Sequence, residues 1–118
     1  MLLQSKLALG LTFLLAVGIA ALTLTPIINV PAPVEQSDKI YHALAFAALA
    51  FPISFFRPSW LLVAVPAFAG FGGMIEIIQP YVGRECSFYD WFADLVGIVL
   101  GVVCGRAATV ALPKAFRP

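Results

Sequence analysis

The chain has 118 residues, 62% of them hydrophobic and 11% charged, against roughly 45–50% apolar and about 25% charged in a soluble domain. A soluble globule of this size cannot bury so much apolar side chain. With a net charge of +1 and no basic patch interleaved with aromatics, nothing points to nucleic acid. The length fits about four membrane spans of roughly 20 residues and excludes a separate soluble domain.

The first expected span is residues 7–25, uncharged after Lys6. It is longer than the apolar region of about 7–15 residues in a signal peptide, so it reads as a retained helix. Residues 26–37 are polar and punctuated by Pro26, Pro31 and Pro33, which reads as extended loop. The second span covers residues 38–56, with Ser37 or Asp38 placed to cap it. Arg57-Pro58 ends it, because proline disfavours helix at the residue before it.

The third span is residues 59–79. It contains Pro66, which a membrane helix tolerates, and a run of small residues at 67–73. The fourth is residues 88–112, where Ser87 and Asp90 have capping-box spacing. Gly97, Gly101 and Gly105 recur every fourth residue and make one smooth face. That face suits packing inside the bundle, the favoured reading, or a homodimer. The fold class is therefore all-α: a polytopic membrane protein built as one four-helix transmembrane bundle.

Four spans put both termini on one side. That side carries Lys6, Arg57, Arg106, Lys114 and Arg117, and the other only Lys39 and Arg84. Excess Lys and Arg marks the cytoplasmic face, so both termini are expected inside. All the acids, Glu35, Asp38, Glu76, Glu85, Asp90 and Asp94, then lie at or near the outer face.

Spacing gathers these groups. Asp38 and His42, Glu76 and Gln79, and Asp90 and Asp94 are each three or four apart, so each pair shares one face of its helix. Charged groups at membrane depth turn to the bundle interior or to water, so the pairs should converge on one pocket. His42, Glu76, Asp90 and Asp94 are the candidate general acids and bases. Asp38, Lys39, Gln79, Arg84 and Ser87 are the candidate ligand-binding residues. The plain alternative is a polar clamp that only holds short helices together. Asp94 fits that alternative least, since it lies about two turns inside its helix, beyond capping range, where an unpaired carboxylate is costly.

A single histidine with no H-E-x-x-H or C-x-x-C motif gives no expectation of a metal, and no cofactor is implied. Ser87, His42 and an aspartate could form a triad, but no G-x-S-x-G elbow accompanies them. A proton-coupled transporter is disfavoured, because nothing ionisable lies between the outer cluster and Arg57 or Arg106. Cys86 and Cys104 fall roughly 25 Å apart at about 1.5 Å per helical residue, which excludes a disulfide.

The stretch from Asp38-Lys39 to His42 resembles the D-K-x-x-H segment of the VanZ-like family of small bacterial membrane proteins. Glu76 to Gln79, Arg84 to Ser87 and Asp90, and Asp94 to Gly97 and Gly101 are similar to its E-x-x-Q, R-x-x-S-x-x-D and N-x-x-G-x-x-x-G segments. Order and approximate spacing agree over residues 38–101. One departure is Asp94, where the family pattern usually has asparagine; it adds a possible negative charge beside Glu76 and Asp90. The resemblance implies a bacterial inner-membrane protein. The family's namesake is associated with resistance to the glycopeptide teicoplanin; the resemblance leaves a link to such tolerance open and does not by itself imply that this chain confers resistance. The leading functional expectation is a site for a lipid-linked or glycolipid headgroup at the outer leaflet. In it Arg84 and Lys39 hold phosphate, and Gln79 and the carboxylates hold sugar hydroxyls. An accessory protein that sequesters a lipid or antibiotic without catalysis is the alternative.

Overall fold

Four helices, α1 (Leu2–Leu24), α2 (Glu35–Phe56), α3 (Leu61–Ile78) and α4 (Phe88–Ala111), carry the chain back and forth. The structure, a computed structural model, describes residues 2–25, 35–83 and 88–118, and the side chains of these except 35–38. Short 3-10 turns at Pro58–Trp60 and Gln79–Val82 extend α3 at both ends, so the third apolar span runs Pro58–Val82. All four spans are long and apolar enough to cross a membrane. The all-α four-helix architecture read from composition and spacing is the one found, and there is no strand among the described residues.

The boundaries differ from expectation at two helix starts. α1 begins at Leu2, not residue 7, and takes Lys6 into its second turn. A lysine there keeps its stem on apolar surface and its ammonium in the interface. α2 begins at Glu35, so Ser37 and Asp38, expected as caps, lie inside its first turn, where acids suit the helix dipole. Pro52 and Pro66 both sit inside helices, as membrane helices allow.

The packing is dominated by α2 against α4, which run parallel. A Cβ on Gly97 would collide with the backbone of Ala43, and one on Gly101 with the backbone of Ala47. At Gly105 it would meet the Ser54 side chain at 2.6 Å. The glycine stripe is therefore taken up by α2 of the same chain. Two side-chain hydrogen bonds close the seam lower down: Ser54 Oγ donates to the Val102 carbonyl (2.7 Å) and Thr109 Oγ1 to the Phe55 carbonyl (3.2 Å). Phe46, Leu49, Ala50 and Ile53 of α2 form the centre of the core, with Ile98 of α4 and Phe68 and Ile75 of α3. α1 is held least, with only Ala8 and Ile19 buried.

The outward faces are apolar: Phe13, Leu62, Val63, Val99 and Val110 are all exposed. In water such a surface would aggregate; lipid is its natural solvent. The bundle measures 51 × 24 × 23 Å, long enough to stand across a hydrocarbon core of about 30 Å. At the end that holds both termini, the Arg57 guanidinium lies over the Trp60 ring, 4.9 Å from its centroid. There Arg117 donates to the carbonyls of Leu112 and Val110 (3.0 Å each), serving the open carbonyls at the end of α4.

Candidate functional site

The other end of the bundle gathers the C-terminal ends of α1 and α3 and the N-terminal ends of α2 and α4. α2, α3 and α4 turn His42, Glu76, Gln79, Asp90 and Asp94 inward there, as ionisable and amide groups at the level of an apolar surface do. His42 lies on the buried face of α2 with Phe46 and Leu49. Glu76 continues the buried stripe of Phe68, Gly72 and Ile75 on α3. Asp90 and Asp94 continue the stripe of Gly97 and Gly101 on α4.

Three of these side chains meet. One ring nitrogen of His42 and one oxygen each of Glu76 and Asp94 lie within 4.8 Å of one another, all three residues buried. His42 Nδ1 is 2.8 Å from Asp94 Oδ1; with Nδ1 protonated, the imidazole donates and the carboxylate accepts. On the other edge of the ring, His42 Nε2 is 3.9 Å from Asp90 Oδ2, within ion-pair range but too far for a hydrogen bond. Asp94 is 0% exposed. The imidazole is thus held between two carboxylates of α4, with Glu76 arriving from α3. Such a group of side chains can accept, relay and return a proton without help from bulk water.

Gln79 is also buried, and its Nε2 donates to the Thr23 carbonyl at the end of α1 (3.2 Å). Its Oε1 has no hydrogen-bond partner among the described residues, which leaves an acceptor for a hydroxyl or an ordered water. Lys39 is half-buried at the start of α2. Asp38 falls in α2, but its side chain lies outside the described residues, as do Arg84, Glu85, Cys86 and Ser87 entirely. Cys104 is an exposed free thiol. Beside His42, between α1 and α2, lies a cavity of about 220 Å³ lined by Ile19, Leu22, Thr23, Tyr41 and Phe46 as well as the histidine. It gives the imidazole a lateral opening toward the first helix.

Sequence reasoning passed over two contributors. Gly72 was visible only as part of a small-residue run, yet a Cβ there would meet Asp94 Oδ2 at 2.8 Å and the Phe46 ring at 3.3 Å. The signal was its position one turn before Glu76 on the same face. Trp91, whose Nε1 donates to the Ala69 carbonyl (3.0 Å), braces α4 against α3 beside the cluster. Gly72→Ala is expected to displace the Asp94 carboxylate and cost about 1–3 kcal/mol by overpacking. Gly70→Ala, with nothing within 4 Å of the new methyl, is expected to leave thermal stability in detergent at or above wild type.

Comparison with family models, with curated proteins and with solved structures finds no match to this chain.

Proposed function

We propose that the chain is a VanZ-like protein of the bacterial inner membrane. Its outer end binds, and by acid–base chemistry processes, the headgroup of a lipid-linked or glycolipid molecule of the envelope. The observation that carries this reading is the meeting of His42, Glu76 and Asp94 within 4.8 Å, at a level where His42 also lines a cavity reached from between two helices. A substrate anchored in lipid can enter sideways there and present its head to the imidazole. Asp94 holds and orients His42 as the base, and Glu76 is the carboxyl group placed to return a proton. Gln79 Oε1 supplies an acceptor for a hydroxyl. Asp38, Lys39, Arg84 and Ser87 complete the binding set in this proposal, the two cations meeting phosphate.

The test is identification by mass spectrometry of lipids that accompany the gently purified chain. A phosphate- or sugar-bearing lipid enriched over the surrounding membrane, and lost in His42→Ala, is the expected result. A lipid content equal to that of the bulk membrane in both chains would overturn the reading. A second reading, a polar clamp without catalysis, is favoured by the His42–Asp94 hydrogen bond, which ties α2 to α4.

Orientation belongs to the same proposal: both termini cytoplasmic, the cluster outside. In a Cys86→Ser, Cys104→Ser background, a cysteine at Glu35 should react with a membrane-impermeant maleimide in intact cells, and one at Lys114 only after permeabilisation. The reverse pattern would invert the topology.

A further inference from the structure

We infer that His42, Glu76 and Asp94 form a binding site for one divalent transition-metal ion of the zinc or manganese class. A lone histidine in the sequence gave no reason to expect one. The fold supplies the reason, by bringing one nitrogen and two carboxylate oxygens from three different helices within 4.8 Å of one another. Donors sharing an ion at about 2.0–2.2 Å stand roughly 3–4 Å apart, so closure needs about 1–2 Å of movement at most. The side chain of Glu76, with three rotatable bonds, can provide that. A mixed imidazole and carboxylate set suits zinc, iron and manganese better than calcium or copper(I). Three protein ligands leave at least one position open, as in catalytic rather than structural sites.

Two further observations fit a liganding role. Asp90 Oδ2 stands 3.9 Å from His42 Nε2, while Nδ1 faces Asp94. A shift of about 1 Å would let Asp90 accept from Nε2–H, as the outer carboxylate of a metal-bound imidazole does. Gly72, one turn before Glu76, leaves the space that Asp94 Oδ2 occupies, so a bulkier residue there would displace the carboxylate. The cavity beside His42 brings open space up to the imidazole. The inference rests on the position of three side chains and not on the lipid reading. With a metal bound, His42 and Glu76 act as ligands in place of the base and acid of that reading, and the ion would polarise a phosphate or water at its open position.

The experiment is zinc and manganese binding to the tag-free full chain in nanodiscs, in the Cys86→Ser, Cys104→Ser background so that no thiol contributes. Binding is read by elemental analysis after dialysis and by the visible absorption of a cobalt(II) derivative. One equivalent per chain is expected, with an absorption band from low-coordinate cobalt and a melting temperature that rises with metal. Asp90→Asn should weaken binding about 10–100-fold. Glu76→Gln and His42→Ala should weaken it further and remove the band. Glu76→Gln nearly preserves shape, so it keeps the test decisive if His42→Ala fails to fold. No binding by the parent chain, or equal binding by parent and Glu76→Gln, would overturn the inference. Stoichiometric metal in a chain that enriches no lipid would leave it standing and sink only the lipid proposal.

Discussion

A chain carrying Gly101→Leu is expected to enter the membrane and fail to hold its bundle. A Cβ at Gly101 already meets the Ala47 Cα at 2.9 Å and that residue's carbonyl more closely still. The obstacle is backbone, which has no rotamer to escape into. Overpacking even by a methyl group costs about 1–3 kcal/mol, and leucine adds three more carbons at the same point. α2 and α4 would have to separate along the seam that also carries the Ser54 and Thr109 hydrogen bonds. The loss should be comparable to the whole folding free energy, commonly about 5–15 kcal/mol. Thermal aggregation in detergent would read it, with Gly70→Leu as the comparison. Gly70 is exposed with nothing within 4 Å of its Cβ position, so that variant should melt near wild type. Equal melting of the two variants would mean that α2 and α4 do not pack through this stripe.

The second large effect separates a working site from a clamp. Glu76→Gln keeps the size and shape of a side chain that is 5% exposed and removes its ability to ionise. It is expected to leave the melting temperature within a few degrees of wild type and to abolish lipid enrichment. Asp94→Asn is expected to be mild for stability, because the amide oxygen can still accept from His42 Nδ1. His42→Ala is different in kind. It removes the group between Asp90 and Asp94 and should cost about 3–5 kcal/mol, the range for breaking a buried pair by deleting one member. If the cluster only clamps, stability and lipid content should move together across the three variants. If it is a site, Glu76→Gln should part them. A Glu76→Gln chain that keeps its lipid at normal protein levels would end the acid–base mechanism and leave the packing role.

Most of this architecture is readable from residue order because lipid imposes a strict rule on the outside of the molecule. Unbroken apolar runs bounded by Arg57-Pro58 and Gln79-Pro80 leave few alternatives to four helices. The same rule predicts that His42, Glu76 and Asp94 turn inward, and they do. What periodicity cannot supply is contact between helices distant in sequence. The spacing of Gly97, Gly101 and Gly105 announces a close approach but does not name α2 as the partner. Gly72 has no period of its own, and its role appears only once Asp94 is opposite it. The helices begin before the boundaries that a lysine and a capping residue suggest, at Leu2 where residue 7 is expected and at Glu35 where residue 38 is expected. A charge near the interface costs little, so neither residue stopped its helix.

The parallel pairing of α2 with α4 has a consequence for biosynthesis. His42 and Asp94 are 52 residues apart, with α3 made in between. At a synthesis rate of about 5–20 residues per second, α2 waits roughly 3–10 s after leaving the ribosome before its partner follows. During that interval α2, the least apolar of the four spans, carries a histidine whose carboxylate partners on α4 have not yet left the ribosome. α1 is already made, and Ile19 and Thr23 beside His42 place it where a temporary cover is needed. A helix that buries little of itself in the finished bundle is thus suited to act as a placeholder during insertion, shielding its neighbour until the last segment arrives.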